Sequence, residues 1–335
     1  MSAAGVPSPL SRTSSRRHFW QRDLVGIAII LAAALLGYVF VPDNLALLTR
    51  IIAILFLVLS LDLVTGYCGV ATLGHAALFG AGAYAAGIAA VTFNITSAFS
   101  MVAIGALAGG VAGLVCGVVI LRGHGLAQLV LSIAVIHLFH EAANKASTLT
   151  GGSDGLSGIA PDPILGLFEF DLFGRTAYLF GILLLLIIFV MLRILVRSPF
   201  GMLCRGIRQD PLRVSAMGAS VKATLIKMYI ISGAVAGVGG AFNAVSTQVV
   251  GLDSLSFTNS AEALVMLVLG GAGSLYGAFV GTIVFVWFED VVSSANPFHW
   301  LTTVGALLIA VVLFAPKGLY GTAAALFERY RRRLK

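Results

Sequence analysis

Charged side chains are scarce in this sequence: Asp, Glu, Lys and Arg together are 10% of its residues, against roughly 25% in soluble domains. Apolar residues take their place, at 59%, where roughly 45–50% is usual. A soluble chain of 335 residues cannot hide that much apolar surface in one or two cores. With a mean hydropathy of +1.01, only an integral membrane protein fits. Cysteine is sparse too. Cys68, Cys116 and Cys204 share no metal-ligand spacing such as CxxC. All three fall in predicted spans or on the cytoplasmic side, which argues against a disulfide framework. Each reads as a small buried hydrophobe.

Several motifs are missing as well. There is no GxxxxGK[ST], and no lysine follows a glycine. A P-loop is therefore excluded, and any ATP dependence must come from another polypeptide. HExxH is also absent. His137 and His140 share a helical face beside Glu141, but no third ligand is evident, so they read as interfacial polar residues near a helix end. The net charge of +7 would suggest nucleic acid only if the basic residues formed a face on a soluble domain. They sit instead in short strips between apolar runs, so no nucleic-acid partner is expected. Asp62, Glu141, Glu262, Glu289 and Asp290 lie at predicted span ends rather than at the midplane. An ion-coupled carrier, which needs carboxylates or histidines as midplane relays, is disfavoured.

What is present is a series of apolar runs. A helix needs about 20 apolar residues to cross ~30 Å of hydrocarbon. Such runs lie near 24–41, 47–64, 67–92, 99–121, 124–142, 177–196, 226–248 and 299–315. The stretch 259–292 is too long for one crossing and is interrupted at LGGAGSLYG, giving spans near 259–270 and 275–292. The basic stretch RTSSRRHFWQR precedes the first run without a small-residue cleavage site, so that helix is expected to be retained. An even number of spans puts both basic ends on one side. Placing them in the cytoplasm leaves only Arg50, Lys145 and Arg175 of the 21 Lys and Arg outside, as the positive-inside rule requires. The expected fold is an all-α integral membrane protein with about ten transmembrane helices, some interrupted by Gly-rich breaks, and both termini cytoplasmic. A tail at 1–23 precedes a transmembrane domain at 24–316, and a second basic tail follows at 317–335. Its long loops are a periplasmic one at 143–176 and a basic cytoplasmic one at 197–225. The latter is expected to hold helices around Pro199–Gln209 and Leu212–Met217, with Pro199 in a first turn after Ser198 and Gly218 ending the second.

Glycine is abundant, at 39 residues. In GALAGGVAGLVCG (105–117) and GAVAGVGGAF (233–242) it lets helix backbones approach closely. In TLGHAALFGAGAYAAGIAAV (72–91) and LGGAGSLYGAFVG (269–281) the glycines border expected helix breaks, where backbone groups come free along a transport path. Gly74, His75, Gly80, Gly270, Gly271 and Gly273 are the candidates for that path or its gate. His75 is expected to tie down freed backbone, with Asp62 as its partner from the end of the preceding span. In TGGSDGLSGI, the side chains of Ser153 and Asp154, set among Gly151, Gly152 and Gly155, are expected to bond the local backbone of a tight turn. An outer gate or docking surface is the functional reading of the same loop.

GYCGVATLGHAALFGAGAY (66–84), TGGSDGLSGI (150–159), SPFGMLCRGIRQD with AMG (198–218), the SGAVAGVGGAF run, VLGGAGSLYGAFVG (268–281) and FAPKGLYG (314–321) resemble, in the same order, the permeases of branched-chain amino acid ABC importers, of the LivM type. The resemblance implies a homologous sister permease, two ABC ATPase subunits that hold ATP and Mg, and a periplasmic substrate-binding protein. It implies the bacterial inner membrane, alternating access, and no cofactor in this chain. It makes Asp210 to Gly218 a coupling helix, although Pro211, Arg213 and Val214 depart from the usual residues. Arg205 and Arg208, three apart on one face, are candidates to touch a partner, while Arg193 and Arg197 are assigned to lipid headgroups. Branched-chain or other hydrophobic amino acids are the implied solutes. Urea, short amides and aromatic acids are carried by related systems. A carrier or channel working without ATPases is the alternative of a different class.

Overall fold

The computed structural model of the protein describes residues 44–163 and 174–295, with isolated positions between 26 and 38, at 168, and between 302 and 322. The expected spans near 24–41 and 299–315, and both termini, lie largely outside the described residues. Helix α1 (Leu45–Leu61) runs into a π-helical turn at Asp62–Tyr67. After a non-helical segment come α2 (His75–Phe93), α3 (Ala98–Ile120) and α4 (Leu126–Lys145). The long loop leads to α5 (Arg175–Arg197), then the short α6 (Pro199–Gln209) and α7 (Pro211–Ala216). Finally α8 (Val221–Thr247), α9 (Phe257–Gly270) and α10 (Leu275–Ala295) complete the described bundle.

Seven of these helices are long and apolar enough to cross a membrane. The eighth expected span among the described residues, α9, has only 14 residues and rises about 21 Å, short of ~30 Å of hydrocarbon. It turns back into α10 at Gly271 (φ 107°) and Gly273 (φ 90°). Only glycine adopts such angles without strain, so the interruption at LGGAGSLYG falls where the glycines are.

Chain direction sorts the connections onto two faces. On one, Gly69 packs against the side chain of Arg208 and Gly66 against Gly273, so the segment after α1, helix α6 and the α9–α10 turn lie together. This is the face that carries the basic loop. On the other, Leu156 and Val250 exchange backbone hydrogen bonds of 2.8 and 2.9 Å. There too the Asp162 amide donates to the Thr96 carbonyl at 2.9 Å.

Helix α8 is the axis of the bundle, buried along most of its 27 residues. Gly105, Gly109 and Gly113 recur every fourth residue on α3 and face Gly233 and Gly237 on α8. A Cβ at Gly109 would lie 2.7 Å from Gly237 Cα, and one at Gly233 would lie 2.9 Å from Gly113 Cα. The two runs therefore do the packing expected of them: backbone meets backbone with no side chain between. On the opposite side of α8, Phe242 meets Phe56 of α1 and Phe180 of α5, with both ring centroids 6.3 Å away. Outward-facing positions are large and apolar instead, among them Leu107 and Val111 on α3 and Met191 and Ile194 on α5. Small residues inside and bulky ones outside suit a bundle whose solvent is lipid.

Candidate functional site

The π turn at the end of α1 sets up the first half of the site. Its wider ring of hydrogen bonds leaves a carbonyl without its usual helical partner. The Gly66 carbonyl is met by the guanidinium of Arg208, which reaches over from α6. Beside it, Asp62 Oδ1 accepts from the Gly273 amide at 2.6 Å. The space is tight: a Cβ on Gly273 would stand 2.6 Å from Arg208 Nη1, and one on Gly69 2.8 Å from Arg208 Cγ. The Arg205 guanidinium lies over the Tyr67 ring, 5.1 Å from its centre. Cys68 and Cys204, both free thiols, are buried there. One helix of the basic loop thus holds both the π turn and the α9–α10 break. Arg205 and Arg208 share a helical face, and that face meets the π turn of the same chain, at the Tyr67 ring and the Gly66 carbonyl.

The loop helices are built by local rules. The Ser198 hydroxyl accepts from Gly201 N at 3.3 Å, with Pro199 in the first turn of α6. Asp210 ends α6 and caps α7, accepting from Arg213 N at 3.0 Å, with Pro211 in the first turn. Both prolines sit where the missing N–H costs nothing. Gly218, at φ 86°, closes the unit.

The second half of the site is the start of α2. Ser232 stands 11 residues into α8, about 17 Å along its axis, and His75 Nε2 lies 2.8 Å from its hydroxyl. Helix α2 therefore begins well inside the bundle, and residues 68–74 form a re-entrant segment. Its first amides would be orphans, but hydroxyls from three directions accept them. Leu73 N donates to Ser132 Oγ at 3.0 Å, Gly74 N to Thr72 Oγ1 at 3.2 Å and Ala76 N to Ser260 Oγ at 2.8 Å. Non-helical backbone at this depth survives only with such partners. A Cβ on Gly74 would lie 2.8 Å from the Ser132 carbonyl oxygen.

The histidine's role follows from proton counting. Ser232 Oγ donates its single proton to the Ser60 carbonyl at 2.7 Å, so towards His75 it accepts, and Nε2 carries the ring proton. His75 is 1% exposed. The expected Asp62–His75 pair does not form: Asp62 turns to Gly273 and His75 to Ser232. The π turn and the break lie between them, and helical periodicity cannot be counted across either. The hydroxyls of Ser132, Ser232 and Ser260 are site groups that the sequence does not single out. Their signal was a lone hydroxyl within an apolar run.

The other candidates are placed as follows. Gly80 packs on the turn before α9, where a Cβ would approach the Ser254 carbonyl to 2.9 Å, and Gly270 packs on Gly277 of α10. In the 150–159 loop, Gly151, Gly152 and Gly155 all have positive φ. Here the hydroxyl that bonds the local backbone is that of Thr150, to the carbonyls of Ala143 and Ala146 at 2.6 and 2.9 Å. Ser153 and Asp154 are exposed, 3.4 Å from each other, so that expectation is corrected: at positive φ the glycines shape the turn without them. His137 stacks on Phe257, and Glu141 pairs with Lys145 at 3.5 Å. At the end of the bundle opposite Asp62, Arg50 and Glu289 pair at 3.0 Å.

What the described residues assemble here is a site of freed backbone and the groups that hold it. It consists of two helix breaks, each capped by neighbours, and a cationic side chain that joins them to a surface loop. Residues 44–315 match the family described as "Branched-chain amino acid transport system / permease component". The chain is 24% identical to the high-affinity branched-chain amino acid transport system permease protein LivM of Escherichia coli (strain K12), over 89% of this chain and 75% of that protein. It is 23% identical to LivM of Salmonella typhimurium over the same shares. To LivH of E. coli K12 it is 29% identical over 37% of this chain and 40% of LivH. No solved structure matches the chain.

Proposed function

The chain belongs to the permease-component family of branched-chain amino acid transport systems, and on that premise we propose that it is the permease subunit of an ABC importer. Its cargo is branched-chain or other hydrophobic amino acids. The observation that carries this reading is the family match over 44–315, which takes in the basic loop and both helix breaks. The similarity to both LivM and LivH supports a homologous sister permease, with the translocation path between the two.

In this reading two ATPase subunits bind ATP and Mg on the cytoplasmic side, and this chain holds no cofactor of its own. The basic face is cytoplasmic, the membrane is the bacterial inner membrane, and a periplasmic binding protein docks on the face that carries residues 150–159. Helix α7, from Pro211 to Ala216, is the coupling helix. Displacement of α7 moves α6 through the Asp210 junction. Arg208 then pulls on Gly66 and on the α9–α10 turn, so the two breaks shift together and close the cytoplasmic side. Selectivity rests mainly with the binding protein, and the path need only admit the solute.

Purification from native membranes tests the assembly. Two P-loop ATPases and a sister permease are expected to accompany the chain in stoichiometric amounts. A homo-oligomer free of ATPase subunits would overturn the proposal.

A further inference from the structure

On the basic face a cavity of about 460 Å³ opens between the re-entrant segment, the α3–α4 turn, α6 and the start of α8. Arg122, His124, Arg208 and Lys222 line it, and no carboxylate among the described residues does. Arg208 is committed to the Gly66 carbonyl. Arg122 and Lys222 are exposed and form no ion pair among the described residues. Two cations, one from the α3–α4 turn and one from the first turn of α8, with nothing opposite them leave the cavity short of negative charge. Helix α4 starts at its rim, and its N-cap Gly125 supplies no side chain to cap it. Its first amides add further donors suited to an anion.

What lies beside the cavity narrows the ligand. Leu126 and Val130, in the first two turns of α4, are 81% and 65% exposed. Val115 and Val118, in the last turns of α3, are also exposed. These exposed apolar positions flank Arg122 in the chain, on the helices that lead into and out of the α3–α4 turn. A free phosphate would satisfy the charges and ignore these positions. A carboxylate on a soluble partner would do the same. A phospholipid satisfies both, with its phosphate in the cavity and its acyl chains along α3 and α4. We infer that this cavity is a binding site for the phosphate headgroup of an anionic phospholipid in the leaflet on the basic face. This inference does not depend on the cargo or on ATP.

The test is native mass spectrometry of the full chain released from nanodiscs of equal phosphatidylglycerol and phosphatidylcholine. The wild type is expected to retain one phosphatidylglycerol in preference to phosphatidylcholine. The pair R122Q/K222Q is expected to lose that preference by roughly thirtyfold, the usual gain for two basic side chains near a lipid surface. The charge-conserving pair R122K/K222R keeps it, which separates lost charge from lost fold. R213Q/K227Q removes two charges from the same face outside the cavity and should also keep it. Equal retention of the two lipids by the wild type would overturn the inference, as would equal loss in R213Q/K227Q. Displacement of phosphatidylglycerol by inorganic phosphate would also overturn it, because the site would then be one for a free anion.

Discussion

Ser232 has one proton and two neighbours that need it placed. Its hydroxyl donates to Ser60 and accepts from His75, so removing it strands a buried ring N–H. Ser232→Ala is expected to lower stability by about 1–3 kcal/mol, the cost of an unsatisfied buried donor. In the double variant H75F/S232A the stranded donor is gone, so the loss should be smaller than the sum of the two single losses. Thermal unfolding in detergent of all four proteins measures this; additive losses would contradict the assigned tautomer. A second residue-scale prediction concerns close packing. Gly237→Ala drives a methyl group into the backbone of α3, where Gly105 and Gly109 leave no space, and overpacking of this kind costs about 1–3 kcal/mol. The same unfolding assay reads it. The glycine seam was legible in the sequence because spacing of four on two helices is a packing signal by itself. The partner of His75 was not, because Asp62 and His75 are separated by backbone that no helical period describes.

At the scale of elements, the π turn, the re-entrant segment and the α9–α10 turn each cost hydrogen bonds that other elements restore. The sequence revealed the breaks through their glycines, but not what holds them. Arg208 looked outward-facing because it sits in a polar loop helix, yet the freed Gly66 carbonyl offers it an acceptor that a regular helix would not have. The expected consequence is a specific defect. With its partner subunits present, Arg208→Ala should cut transport at least tenfold (about 1.4 kcal/mol at the barrier) while ATP hydrolysis continues, and Arg208→Lys should fall between. Asp62→Asn keeps an oxygen to accept from Gly273 and should transport better than Asp62→Ala. Paired hydrolysis and uptake assays in vesicles check both. Parallel loss of the two activities in Arg208→Ala would reduce the residue to a folding role.

For the whole molecule, composition alone identified the solvent as lipid, and seven membrane-length helices agree with it. The count of spans was harder to read, because α9 has only 14 residues and hydropathy does not say how the chain before a short helix continues it. The larger claim is that this bundle imports an amino acid only when other subunits move it. The direct measurement is uptake of labelled leucine into vesicles that contain either the chain with its sister permease, ATPases and binding protein, or the chain alone. Accumulation should occur only in the complete set and only with ATP on the ATPase side. Uptake by the isolated chain at a comparable rate, driven by an ion gradient, would contradict it.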